Sequence, residues 1–167
     1  LSARVIADMG GAFAHSVLVS IGERDGAAKG QAVVTGEGLV GWVAEVGLRS
    51  SRILLLTDIN ARVPVVVEGS RAKAILGGDN TSQPKLLFMA SNTAVSPGDR
   101  VVTSGDAGAF PPGLPVGVVA GVSEAEVRVE PFVQRSRLKY VRLVDYGLTG
   151  ILPHSYDEAF GISEAGN

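Results

Sequence analysis

The stretch GDRVVTSGDAGAFPPGLPVGVV, residues 98–119, contains two short apolar runs on either side of a loop rich in glycine and proline. The turn-forming residues Gly98 and Asp99 come directly before the first run, residues 100–103. The tract PPGLPVG combines prolines of fixed φ with permissive glycines, which is typical of a rigid loop leading into the second run, residues 115–122. This stretch therefore predicts two β-strands joined by a rigid loop.

The rest of the chain repeats this pattern of short apolar runs bounded by Gly, Asp, Asn and Pro. The 167 residues include 22 Gly and 24 Val. Gly costs about 1 kcal/mol at an interior helix position, whereas β-branched Val packs well on a pleated strand. We predict an all-β protein with twelve strands, at residues 4–8, 16–21, 31–35, 40–46, 52–56, 63–68, 72–76, 85–89, 100–103, 115–122, 126–133 and 138–143.

Charge and composition exclude several classes of protein. Fifteen Lys and Arg against 17 Asp and Glu give a net charge of −2, without the basic stripe that nucleic-acid binding requires. The absence of Cys excludes disulfides and thiolate sites. The longest apolar runs, such as residues 86–90, fall far short of the roughly 20 residues that cross a bilayer. Because the sequence starts at Leu1 without a signal peptide, we expect a soluble piece of a longer chain whose missing part could hold a membrane anchor.

The sequence predicts no catalytic, cofactor-binding or metal-binding residues. The glycines at 10–11 and 22–30 lack the spacing of phosphate-binding loops, and His15 and His154 lack the spacing of metal ligands. His15, Asp58 and Ser104 follow the His, Asp, Ser order of chymotrypsin-class proteases. In the turn GDAG, however, Ala107 stands where the nucleophilic serine would be. Since alanine has no oxygen for nucleophilic attack, we predict no protease active site.

The aromatic and apolar residues inside the predicted strands raise questions of packing. Trp42 and Phe110 are interpreted mainly as core residues, with Trp42 also a candidate partner contact. In KLLFM, residues 85–89, alternation predicts that Leu86 and Phe88 point into the core and that Leu87 contacts a partner. Gly41 interrupts an otherwise continuous strand and therefore predicts a bulge, a tight bend or a close backbone approach.

The succession of motifs from residue 4 to about 146 resembles the rod shape-determining protein MreC family. The matching segments are IGERDGAAKGQAVV, GLVGWV, RILLLTD and GDRVVTSGDAGAFPPGLPVGVV. The resemblance implies a structural role, without catalysis, for a set of motif residues: Gly22, Asp25, Gly26, Gly38, Gly41, Asp58, Gly98, Asp99, Thr103, Ser104, Gly105, Phe110, Pro111, Gly113, Pro115 and Gly117. Trp42 and the double proline at Pro112 depart from the family pattern.

The resemblance also implies a fold and a function. In this family two small β-barrels, shaped like those of chymotrypsin but without a triad, form the extracytoplasmic part of a bitopic inner-membrane protein. Such proteins are non-enzymatic scaffolds of side-wall peptidoglycan synthesis that self-associate and bind the elongation penicillin-binding transpeptidase. MreD, RodA and MreB belong to the same assembly. The resemblance thus implies a location on the periplasmic face of the inner membrane, with the membrane-anchoring segment outside this chain.

Two alternative functions and the domain boundaries also follow from the sequence. A trypsin-like hydrolase is disfavoured by Ala107, and a glycan-binding β module is disfavoured by an aromatic content of only 5%.

The turn at residues 36–38 and the stretch 90–97 predict that residues 38–93 form a barrel inserted into another made of 1–37 and 94–147. A sequential split near residue 93 is the alternative. The tail, residues 148–167, lacks periodicity and is expected to be disordered.

Overall fold

The structure is a computed structural model that describes residues 1–8, 15–90 and 94–147. The tail expected to be disordered, residues 148–167, lies outside the described residues, as does His154. In the described part of the chain, helical structure is limited to three single 3₁₀ turns, Glu23–Asp25, Asp106–Gly108 and Arg135–Arg137. The remaining regular structure consists of β-strands.

All twelve predicted strands are present, and each begins and ends within two residues of its predicted bounds. Short Val-rich runs between turn formers favour this outcome, because each run can bury one or both faces of a strand. In chain order the strands are β1 (Ser2–Asp8), β2 (Ser16–Val19), β3 (Ala32–Thr35), β4 (Gly38–Val46), β5 (Ser51–Leu55), β6 (Arg62–Val67), β7 (Ala72–Gly77), β8 (Lys85–Leu87), β9 (Arg100–Thr103), β10 (Pro115–Val122), β11 (Val127–Pro131) and β12 (Tyr140–Val144).

The strands form two closed antiparallel barrels of six strands each, which confirms the predicted fold class. Barrel 1 has the strand order β1-β12-β3-β4-β5-β2, and barrel 2 has the order β10-β11-β8-β7-β6-β9. Barrel 2 is contiguous in the sequence and is inserted between β5 and β12 of barrel 1. Closure removes long unpaired strand edges, which would otherwise be templates for aggregation.

The predicted boundaries of the inserted barrel, residues 38 and 93, are wrong. Strands β4 and β5 pair with β3 and β2, so they belong to barrel 1 although they follow residue 38. Strands β9, β10 and β11 pair with one another or with β6 and β8, so they belong to barrel 2 although they follow residue 93. The turn at residues 36–38 is a hairpin within barrel 1, because Thr35 pairs directly with Gly38.

Strands β3, β4 and β5 are apolar on both faces because one face fills barrel 1 and the other packs against barrel 2. Val33, Val43 and Ile53 are fully buried in the core of barrel 1. The opposite face contributes to the core cluster of barrel 2 through Ala32, Val34, Leu39, Trp42 and Leu54. The two barrels therefore share a continuous apolar interface.

Candidate functional site

The loop between β9 and β10 is held by Thr103, which is buried at the end of β9. The Thr103 hydroxyl donates a hydrogen bond to the carbonyl of Pro111 at 2.6 Å and accepts one from the Leu114 amide at 2.8 Å. Its backbone amide donates to the carbonyl of Leu114 at 2.9 Å, and its backbone carbonyl accepts from the amide of Gly113 at 2.8 Å. One threonine thus determines the path of the proline-rich loop.

This loop places Phe110 in the interface between the barrels. Phe110 is 3% exposed and its ring lies 6.1 Å from that of Trp42, with the ring planes tilted by 55°. Both rings belong to the core cluster that joins the barrels, as the core interpretation predicted. The alternative prediction, a partner contact at Trp42, is wrong, because only 7% of this residue is exposed. Its side chain contacts the other barrel of the same chain.

Two of the motif residues allow the backbones of the barrels to meet. A Cβ atom at Gly38 of β4 would lie 2.5 Å from the carbonyl oxygen of Pro115 on β10. Such a separation is too short for any side chain, so only glycine lets the two strands approach this closely. Gly38, Pro115, Trp42 and Phe110 therefore form one junction, which we call the barrel junction. Residues 38–42 and residues 110–115, which are distant in the sequence, meet there.

The other motif residues are spread over both barrels. Gly22 caps a turn in which its amide bonds the Asp25 carboxylate at 3.1 Å, and Gly26 closes that turn. Gly98 and Asp99 form the turn before β9, where Asp99 accepts a bond from the Ser96 amide at 2.9 Å. The remaining members support tight turns or close strand contacts: Gly41, Gly105, Gly113 and Gly117. The structure does not bring these residues together as one site.

The residues that resemble a catalytic triad are engaged in other contacts. Asp58 is 2% exposed and accepts hydrogen bonds from the backbone amides of His15 and Asn60, at 2.9 and 2.8 Å. The ring Nδ1 of His15 is instead bonded to Thr57 Oγ1 at 2.7 Å. The Ser104 hydroxyl donates to Asp106 at 2.9 Å. Asp58 therefore positions the His15 backbone and does not orient its ring towards a nucleophile.

Strand β8 differs from its prediction at Phe88. Leu86 is buried, as predicted, and Leu87 is half-buried with its side chain over Gly77. Phe88, predicted to be a core residue, is 52% exposed. The strand ends at Leu87 and Phe88 takes a left-handed backbone with φ of 61°, which breaks the alternation of faces on which the prediction rested. A phenylalanine in this conformation is strained.

The structure gives two further findings on the residues it describes. None of the helices in ranges 1–8, 15–90 and 94–147 has the length and hydropathy needed to cross a membrane. In the same ranges, no group of three or more His, Asp or Glu side chains is arranged to hold a metal ion.

Replacing Thr103 with valine is expected to lower the free energy of unfolding by about 1–3 kcal/mol. The substitution keeps the shape of the side chain but leaves the carbonyl of Pro111 and the amide of Leu114 without their hydroxyl partner. Urea denaturation followed by circular dichroism measures the change. Thr103→Ser retains the hydroxyl and serves as the control. A serine variant that is less stable than the valine variant would contradict the role of these hydrogen bonds.

Comparison with known proteins identifies the family. Residues 5–145 match the family described as rod shape-determining protein MreC, barrel core. The cell shape-determining protein MreC of Cereibacter sphaeroides is 46% identical over 140 residues, which cover 84% of this chain and 47% of that protein. The chain therefore spans less than half the length of this relative.

Solved structures agree with the sequence comparison. The crystal structure of MreC from Pseudomonas aeruginosa is 33% identical, with a TM-score of 0.82 over 87% of this chain and 98% of that chain. MreC from Helicobacter pylori, solved in complex with a penicillin-binding protein, PBP2, shares the fold at 16% identity, with a TM-score of 0.65 over 84% and 96% of the two chains. Together with the two barrels, one inserted into the other, and the junction between them, these matches show that the chain belongs to the MreC family of rod shape-determining proteins.

Proposed function

We propose that the protein is a non-enzymatic scaffold of side-wall peptidoglycan synthesis that maintains the rod shape of the cell. It self-associates and binds the elongation penicillin-binding transpeptidase, in an assembly with MreD, RodA and MreB. It acts on the periplasmic face of the inner membrane, to which a segment outside residues 1–167 anchors it. The observation that carries this proposal is membership of the cell shape-determining family, of which one member has been solved bound to a penicillin-binding protein.

The contacts of the triad-like residues support a role without catalysis. The Ser104 hydroxyl bonds Asp106, which also pairs with Lys73 at 3.4 Å. His15 bonds Thr57, and Asp58 is occupied by two backbone amides. A serine nucleophile needs a base within hydrogen-bonding reach, and the base needs a third group to orient it. Here the Ser104 hydroxyl bonds Asp106 and the His15 ring bonds Thr57, so neither side chain makes the hydrogen bond that a triad requires.

The end of β8 is the surface that we propose for the transpeptidase. In the described residues, register pairing between β8 and β11 is limited to Lys85 and Arg128, so the β8 edge beyond Lys85 extends past its neighbour. Leu87 is half-buried and Phe88 is 52% exposed on this edge. Exposed aromatic side chains are common in protein interfaces. Backbone strain held at an exposed aromatic is also typical of functional positions.

Replacing Phe88 with glycine is expected to abolish most transpeptidase binding while leaving the protein folded. Glycine accepts the left-handed backbone of this position without strain, so the thermal midpoint should not fall. Surface plasmon resonance with the purified transpeptidase ectodomain measures binding, and sedimentation velocity measures self-association. Leu87→Asp tests the same edge, and Tyr140→Ala removes an aromatic that is 69% exposed on barrel 1 as the matched control.

The possible outcomes distinguish an error in the proposed surface from an error in the proposed partner. A folded Phe88→Gly variant that binds as tightly as the unsubstituted protein would remove the β8 end from the interface. If the unsubstituted protein itself shows no binding to the ectodomain at micromolar concentrations, the proposed partner is wrong. Loss of binding in Tyr140→Ala with binding retained in Phe88→Gly would indicate an interface on barrel 1 instead.

A further inference from the structure

A cavity of about 320 Å³ lies where the chain passes between the two barrels. One wall comes from β4, β5 and the connection that follows β5, and the facing wall comes from the connection between β11 and β12. Most of the lining surface is apolar, and its aliphatic residues are Leu39, Val40, Leu55, Leu56, Val133 and Leu138. Cavities that bind small ligands usually measure about 300–1,000 Å³, and an apolar cavity of about 150 Å³ already admits benzene.

The polar part of the lining contains a histidine that is fixed at two points. The backbone amide of His15 donates to buried Asp58 at 2.9 Å, and ring Nδ1 is bonded to Thr57 Oγ1 at 2.7 Å. Both His15 and Thr57 line the cavity. Among the described residues, the hydrogen bond of the His15 ring is made by Nδ1 and not by Nε2. A ring held in this way can bond a ligand without losing further conformational freedom.

The charges at the cavity compensate one another. Arg135 bonds Asp8 through Nε at 2.7 Å and also through a terminal guanidinium nitrogen, and both residues line the cavity. Burial lowers the pKa of His15 below its usual value, and the nearby Arg135 lowers it further against the opposing effect of Asp58. The lowered pKa favours the neutral form of the imidazole. Among the described lining residues, Arg135 already has a carboxylate partner, which disfavours an anionic ligand and leaves a neutral ligand unaffected.

We propose that this cavity binds a neutral, mainly apolar ring that carries one hydroxyl group, with the hydroxyl bonded to His15 Nε2. This is the chemistry of a phenol. The aliphatic wall accommodates the ring, and the volume leaves room for a substituent. The same chemistry can come from a free small molecule or from a tyrosine side chain of a protein partner. The site is separate from the β8 end and does not depend on the proposed scaffold function.

Titration of the protein with p-cresol, toluene and p-toluate tests the site. Methyl NMR spectra report on the leucine and valine side chains, and the His15 ring protons report on the polar end. We expect saturable shifts with p-cresol at Leu55, Val133 and Leu138, several-fold weaker binding of toluene, and the weakest binding of p-toluate. Shifts that do not saturate, or tighter binding of p-toluate than of p-cresol, would overturn the proposal.

Four variants test whether the binding takes place in this cavity. Val133→Phe fills the lining and should abolish p-cresol binding, whereas Val122→Phe adds the same ring at an exposed position of β10 outside the lining and should leave it unchanged. Ser82→Phe, at an exposed lining residue, repeats the test if Val133→Phe lowers the thermal midpoint. His15→Phe should remove the preference for p-cresol over toluene. Retained p-cresol binding in both cavity-filling variants would overturn the proposal.

A competition experiment then identifies the source of the ring. If saturating p-cresol weakens binding of the transpeptidase ectodomain several-fold, the site receives a side chain of that partner. If p-cresol saturates the cavity without affecting the ectodomain, the site receives a free small molecule. The p-cresol titration stands by itself, so a failure of transpeptidase binding would count against the proposed function and leave the cavity result unaffected.

Discussion

Replacing Trp42 with alanine is expected to lower the free energy of unfolding by about 3–5 kcal/mol, the usual cost of removing a large aromatic side chain from a core. Trp42 packs against Phe110 across the barrel junction and belongs to the apolar cluster that both barrels share. The substitution leaves a void that backbone shifts cannot close easily, because Gly38 and Pro115 already bring the two strands into contact. We therefore expect it to weaken the attachment of one barrel to the other.

Urea denaturation followed by far-ultraviolet circular dichroism measures this effect. Fluorescence is unsuitable because Trp42 is the single tryptophan of the chain. Tyr140→Ala removes an exposed aromatic from barrel 1 and should change the stability by no more than about 0.5 kcal/mol. Equal midpoints for Trp42→Ala and Tyr140→Ala would mean that the junction contributes little to the stability of the fold.

Replacing Gly41 with alanine is expected to destabilise the protein by about 3 kcal/mol, at the upper end of the range for overpacking. An added Cβ would lie only 1.8 Å from the carbonyl oxygen of Leu54 on the neighbouring strand. That atom is backbone within the β4–β5 pair, so it can move only if the strands separate. The close approach inferred from the sequence is confirmed, and it is closer than a side chain permits.

Gly121 provides the control for this substitution. It lies in β10, and an added Cβ there would meet no atom within 4 Å. Gly121→Ala should therefore leave the stability unchanged or raise it by about 0.4–1 kcal/mol, because alanine restricts the unfolded chain. Thermal unfolding of both variants measures the difference. Similar midpoints would show that β4 and β5 rearrange at little cost.

The strands could be predicted from the sequence because their signals are local. Short apolar runs between turn formers predicted all twelve. Which barrel a strand joins depends instead on pairing over long sequence distances. The pairing of Val17 with Ile53, or of Val33 with Leu143, leaves no local signal, so the boundaries at 38 and 93 were wrong.

The candidate sites were predicted less completely for the same reason. Phe88 follows a pattern that predicts burial, and nothing in KLLFM indicates that its backbone turns left-handed. The cavity joins His15, Thr57 and Val133, which come from three distant parts of the chain. The sequence indicated His15 only as a rejected metal ligand or triad member, and its contact with Thr57 could not be inferred from spacing. Thr57 lies in the segment LLTD, but nothing in that segment marks it as a contact of His15.

The insertion of barrel 2 into barrel 1 imposes an order on events during synthesis of the chain. Barrel 2 is complete once residue 131 has emerged, because all of its strands are contiguous. Barrel 1 must wait for β12, which fits between β1 and β3 and supplies the last pairings of both. Until residues 140–144 arrive, five earlier strands can form only an open sheet with two bare edges. The nascent chain thus exposes these two edges from the completion of β5 until β12 arrives, and during this whole interval it is open to wrong association.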